Sequence, residues 1–140
     1  MKRVIVCGSR EWTDQAFITR ILTQCVDAYG MLHVVAGGQR GADTMAIVAA
    51  NTLGLTWEEH HADWATHKLA AGPIRNRHML SLGAFGVLAF KQNFDWTLQH
   101  GGTEDMCKIA AKAGLPATVF PAARRVELHP HQPTLFSGGN

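Results

Sequence analysis

Apolar runs and helical patterns alternate along the chain as far as about residue 121. Five short runs read as strands, at residues 3–7, 33–36, 56–60, 86–90 and 117–120. The first, second and fourth are almost continuously apolar, the pattern of strands covered on both faces. Four segments between them read as helices, at 14–29, 43–53, 73–82 and 104–113. In the first, Phe17, Ile18, Ile21, Leu22, Cys25 and Val26 share one face. Each helix is followed by a glycine (Gly30, Gly54, Gly83 or Gly114), the residue that closes a last turn in the left-handed conformation. Pro73 fits a first helical position, where a missing N–H costs nothing.

Strands separated by helices of this length call for right-handed crossovers and a parallel sheet. The expectation is an α/β chain with one Rossmann-like domain over residues 1–121. It has a parallel sheet of about five strands in the order 3-2-1-4-5, with helices on both faces. Ligands of such sheets bind outside the carboxyl ends of the strands, where the strand order reverses. From residue 122 the character changes, with Pro130, Pro133 and a Ser-Gly-Gly-Asn ending. Residues 122–140 read as an extended or disordered tail, or alternatively as a partner-binding strap.

Composition narrows the function classes. No apolar stretch near the amino end is long enough for a signal peptide or a membrane span, so a cytoplasmic protein with no membrane partner is expected. A net charge of +2 is too small to argue for nucleic acid. The three cysteines, Cys7, Cys25 and Cys107, are odd in number and form no CxxC, so neither a disulfide framework nor a zinc knuckle is indicated. They read as small buried hydrophobes, although Cys7, at the end of a strand, is placed where a nucleophile could be.

Candidate chemistry lies in the loops that leave the strands on one side. They hold Gly8, Ser9 and Arg10; then Gly37, Gly38, Arg40 and Asp43; then Asp63 and Trp64, running on to Arg75, Asn76 and Arg77; then Gly101, Gly102, Thr103, Glu104 and Asp105. Glycine lets a ligand approach the backbone, and a helix amino terminus offers free N–H groups and partial positive charge to an anion. Arginine adds permanently charged, bidentate donors for phosphate. Three glycine turns with several arginines at one sheet edge point to a phosphate-bearing, nucleotide-like ligand. The spacing is that of neither GxGxxG nor a P-loop. Asp43, Glu104 and Asp105 open helices, where an acid also stabilises the dipole with no further role. No helix clearly starts after Asp63, so it reads as a ligand group. Trp12 and Trp64 could each stack on a base or pack over the sheet edge. His60 and His61 are adjacent on a strand and point to opposite faces, so no metal site is expected.

Taken together, the segments at 7–14, 37–43, 62–64, 71–79 and 101–103 resemble the SLOG superfamily, and its YspA/cpYpsA-related branch in particular. The resemblance runs in order from residue 3 to about residue 120. It implies a fold similar to the Lonely Guy phosphoribohydrolases and to the Rossmann domain of DNA-processing protein A. It also implies a role in sensing, binding or processing nucleotides, including NAD- and ADP-ribose-like ligands. Similarity to the hydrolase branch would make Arg75 a phosphate anchor and Asp105 or Glu104 the carboxylate beside the anomeric carbon. Asn76 stands where that branch has lysine, and a longer loop at 91–100 replaces its Pro-Gly-Gly turn. The favoured expectation is a sensor or sequestering protein for a nucleotide derivative, with no obligatory cofactor. An N-glycosidic hydrolase on a nucleotide is the alternative, and single-stranded nucleic-acid binding a third reading. Hydrolase relatives imply a homo-oligomer.

Overall fold

The computed structural model describes residues 1–98, 100–128 and 133–137, with side chains up to residue 126. Five parallel strands form the centre: β1 (Lys2–Gly8), β2 (Leu32–Ala36), β3 (Thr56–Glu59), β4 (Gly86–Phe90) and β5 (Ala117–Phe120). They take the order β3-β2-β1-β4-β5, as the sequence pattern predicts. The chain runs outward from β1 to β3, then returns to place β4 on the other side of β1, so the order reverses between β1 and β4.

Alternation along β1 divides the core. Val4 and Val6 point to one face, where α1 (Gln15–Tyr29) and α2 (Ala42–Thr52) pack with Ile18, Leu22, Ala46 and Ala49. Ile5 and Cys7 point to the other, under α4 (Ala71–Ser81) and α5 (Gly102–Lys112), against Met79, Met106, Cys107 and Ala110. Cys7 and Cys107 are buried and Cys25 partly so; the Cys107 sulfur and burial push the Cys7 thiol up. All three pack among apolar side chains, and the raised Cys7 pKa disfavours the thiolate that a nucleophile needs.

The sheet is larger than the five strands expected. Residues Arg124–Leu128 and Pro133–Ser137 form β6 and β7, antiparallel to their neighbours, giving seven strands in all. Over these two segments the tail expected to be extended or disordered is extended and paired into the sheet, and its residues 129–132 and 138–140 lie outside the described residues. Val126 supplies the physical reason, since its side chain is buried with Val119 and Met106 in the α5-side core.

Two helix starts also differ. α4 begins at Ala71, so Pro73 is its third residue rather than its first. α5 begins at Gly102, so Glu104 and Asp105 fall at its third and fourth positions. A short helix, α3 (Trp64–His67), and a 3-10 turn at Lys68–Ala70 precede α4. Among the described residues no helix is long and apolar enough to cross a membrane.

Candidate functional site

A cavity of about 710 Å3 opens at the carboxyl ends of β1, β2 and β4, where the strand order reverses. Its lining includes Gly8, Ser9, Arg10, Gly37, Asp43, Trp64, Arg75, Asn76, Gly101, Gly102, Thr103 and Asp105. Twelve of the candidate loop residues singled out in the sequence thus meet in one place, and Cys7 lines it too. Gly38, Arg40, Asp63 and Glu104 do not line it.

Of the three glycine turns expected to present a helix amino terminus to an anion, one leaves such an end open at the cavity. Gly8 and Ser9 precede α1 by a whole loop, and Asp14 caps that helix by accepting from the Phe17 N–H at 3.0 Å. At α2 the end is occupied from within, because Ala42 N–H donates to the Ser9 carbonyl at 3.1 Å. Gly8 serves packing, since a Cβ there would come within 2.7 Å of the Ala42 Cβ. At α5, by contrast, Gly101 provides no side-chain cap. Among the described residues the N–H groups of Gly102 and Glu104 meet no acceptor, and neither does the Thr103 hydroxyl. Gly102 and Thr103 line the cavity, so this uncapped end faces it.

Arg75 lines the same cavity and is almost fully buried. Its Nη1 donates to the Gly37 carbonyl at 2.6 Å and to the His60 carbonyl at 3.3 Å, and its Nε donates to Asn76 Oδ1 at 3.0 Å. Nη2 has no protein acceptor among the described residues and is not sealed from the cavity. Burial lowers the Arg75 pKa, while Asp43 and Asp105 oppose that shift. Arg75 is therefore both a brace between loops and a donor to the cavity, not the surface side chain that a helix-start position implies.

Asn76 extends the brace. Its Nδ2 donates to the Gly102 carbonyl at 3.1 Å and to Asp105 Oδ2 at 3.0 Å. Asp105 thereby keeps its other oxygen for the cavity. Glu104 points away: it is wholly buried, takes the Lys91 ammonium at 2.9 Å, and accepts from the Asp95 N–H at 2.9 Å. Of the two acids, Asp105 lines the cavity and Glu104 does not. Gly101 is required by Glu104, whose Cδ would stand 3.0 Å from a Cβ at that position.

Asp43, at the first turn of α2, is also buried. Burial pushes its carboxyl up to about 6, against the Gln39 N–H, which donates to Oδ2 at 3.2 Å, and against the Arg75 charge. A Cβ on Gly37 would lie 2.5 Å from Arg75 Nη1 and 2.9 Å from Asp43 Oδ2, so this glycine is what lets the two side chains share one corner.

The remaining sequence candidates take structural places. Gly38 has φ +78°, and a Cβ there would meet His61 and Glu59 side chains. Arg40 is exposed and pairs with Glu11 at 2.8 Å. Asp63 caps α3, accepting from the Thr66 N–H at 3.2 Å, a helix start that an aspartate three residues before a threonine could have signalled. Trp12 packs inward against Phe17 and Phe90, its indole N–H on the Asp14 carbonyl. Trp64 is the tryptophan at the cavity, half exposed, with the Arg10 guanidinium 5.9 Å from its ring and Arg10 Nε held by Gln39 Oε1 at 2.8 Å. His60 and His61 bind the carboxylates of Glu58 and Glu59 respectively. Lys91, Gln39, Glu11, Leu69 and His100 line the cavity without having been singled out. Lys91 could have been, because it is the first residue past a strand's carboxyl end.

Residues 2–67 match the YspA, cpYpsA-related SLOG family. The chain is 35% identical over 127 residues to the Gene 61 protein of Mycobacterium phage D29, across 86% of this chain and 97% of the phage protein. Its fold is similar to that of DNA processing protein A (DprA) from Streptococcus pneumoniae, with a TM-score of 0.64 at 19% identity. That likeness covers 86% of this chain and 50% of the other, so the chain spans half the length of that structure. The matched region contains the first two cavity loops, and the phage protein aligns over almost its whole length: the chain belongs to the YspA, cpYpsA-related SLOG family.

Proposed function

We propose that this protein binds a nucleotide-derived ligand, holding a phosphate group on the amino terminus of α5 and against Arg75. The observation that carries the reading is the uncapped start of α5 at the cavity, which Thr103 and Arg75 also line. Backbone N–H groups, a helix dipole and a guanidinium donor together match a phosphate. Trp64 and Arg10 at the same cavity offer a flat aromatic and a planar cation to a base or a second phosphate. A cavity of about 710 Å3 has the size of a small-molecule site. The protein acts in this reading as a sensor or sequestering module.

Mass spectrometry of small molecules that copurify with the protein, followed by calorimetry with nucleoside monophosphates and ADP-ribose, tests the proposal. A bound phosphate ester that is lost with Thr103→Val supports it. Binding of oligonucleotides alone, with a steep salt dependence, would replace it with a nucleic-acid role.

One observation favours a hydrolytic variant of the same reading. Asp105 is oriented by Asn76 with one oxygen left open, as a carboxylate stabilising an oxocarbenium-like centre would be. Free-base release from a nucleoside monophosphate, abolished by Asp105→Asn with binding retained, would establish that activity. No release above background leaves the binder.

A further inference from the structure

We infer that the cavity selects a ribose with free hydroxyls, and so discriminates ribonucleotides from deoxyribonucleotides, through the open oxygens of Asp43 and Asp105. This rests on the nucleotide reading above and narrows its ligand class. A site for phosphate alone has no use for carboxylates, which repel the anion. Yet two line this cavity, and both are electrostatic neighbours of Arg75. Each has one oxygen spoken for: Asp43 Oδ2 accepts from Gln39 N–H, and Asp105 Oδ2 accepts from Asn76 Nδ2. Among the described residues the second oxygen of each has no donor and is not sealed. Ionised carboxylate oxygens only accept, so the ligand must bring O–H or N–H donors to them.

Position decides which donors these are. Asp105 lies in the first turn of α5, the helix whose amino terminus is assigned to the phosphate. One helical turn rises only about 5.4 Å. In a nucleotide the ribose is joined directly to the 5′-phosphate, whereas the base lies one ring further away. A group within a turn of the phosphate therefore meets sugar hydroxyls. Asp43 faces the same guanidinium across Gly37 and brings a second acceptor to the same neighbourhood. The vicinal hydroxyls of ribose supply two adjacent donors, and 2′-deoxyribose lacks one of them.

Calorimetry with AMP, GMP, CMP and UMP, each beside its 2′-deoxy counterpart, and with ADP-ribose, tests the inference. Among the monophosphates, the ribonucleotide that binds is expected to do so about tenfold or more tightly than its deoxy form, the scale of one hydrogen bond to a charged group. In Asp43→Asn or Asp105→Asn the ratio should fall several-fold, with thermal melting confirming the fold. Equal binding of ribo and deoxy forms to the native protein would overturn the inference and leave the nucleotide reading standing. Failure of every nucleotide to bind would overturn both.

Discussion

Asn76 Nδ2 lies 3.0 Å from Asp105 Oδ2 and 3.1 Å from the Gly102 carbonyl, so one buried amide fixes both the carboxylate and the start of the helix that carries it. Its Oδ1 accepts from Arg75 Nε, which joins the β2 loop, α4 and α5 in one chain of hydrogen bonds. Asn76→Ala should cost about 2–3 kcal/mol, since it leaves Arg75 Nε without its acceptor and the Gly102 carbonyl and Asp105 Oδ2 without their donor. Urea denaturation measures this, and a loss under about 0.5 kcal/mol, the size of an ordinary surface change, would deny the amide its bracing role.

Arg75 is expected to couple binding to stability. Arg75→Ala removes the donor to the cavity and also the bonds to the Gly37 and His60 carbonyls. A fall of about 1–3 kcal/mol in unfolding free energy should accompany weaker nucleotide binding. A variant as stable as the native protein would show that the loops hold their places without it.

The two neighbouring glycines separate by mechanism. Gly38→Ala meets a positive φ and the His61 and Glu59 side chains, and should cost about 1 kcal/mol of stability with nucleotide affinity retained. Gly37→Ala pushes against Arg75 and Asp43 and should weaken binding more than stability. Calorimetry beside thermal melting checks both, and the reverse ranking would relocate the ligand-facing corner.

The acidity of Asp43 predicts a pH signature. Its folded pKa, about 6, lies above the ordinary value of 3.8, so the native state holds this proton more tightly than the unfolded chain. That contribution is complete below about pH 4 and is lost as pH rises through 6. Its size is of order 3 kcal/mol, the free-energy equivalent of raising the carboxyl from 3.8 to about 6. Glu58, held at about 2 by Arg3 and its histidines, acts in the opposite direction, its contribution being lost as pH falls from 4.5 through 2. Asp43→Asn should therefore be more stable than the native protein at about pH 7.5, with a difference that shrinks towards about pH 4. Denaturation midpoints across this range decide it, and a difference independent of pH would exclude Asp43 as the cause.

Glu104 should matter for folding far more than for ligand. Glu104→Ala strands the Lys91 ammonium and the Asp95 N–H, and removal of one partner from a buried pair costs roughly 3–5 kcal/mol. Simultaneous Lys91→Met should recover part of that loss in a double-mutant cycle. Strict additivity would mean that the pair does not interact.

The parallel sheet was legible because Val4–Cys7 and, apart from the half-buried Leu88, Gly86–Phe90 are buried on both faces, which writes an unbroken apolar run into the chain. β6 was not, since Arg124 and Arg125 are exposed and only Val126 among its described side chains turns inward. Motif residues such as Gly37, Asp43, Arg75 and Thr103 were legible as one loop cluster. Their division of labour was not. Whether Glu104 or Asp105 faces the cavity depends on the phase of α5, fixed by its start at Gly102 and by the distant Lys91. Trp12 and Trp64 look alike in sequence, yet the Trp12 backbone N–H returns to the Ser9 carbonyl and its ring turns into the aromatic core with Phe90.

The antiparallel pair β6 and β7 also bears on whether these molecules stay apart. Lying along β5, it turns an apolar strand, Ala117–Phe120, from a border into an interior member of the sheet. Bared, that border would offer a row of unsatisfied N–H and C=O groups to which a strand of another molecule could add. The opposite border needs no such shelter, because β3 carries Glu58 and Glu59, and charge there discourages addition. β7, outermost on its side, begins with Pro133, which has no N–H to lend. A chain cut after Pro121 should accordingly scatter light on concentration while the full chain stays clear, making the last hairpin a guard against polymerisation as much as a part of the domain.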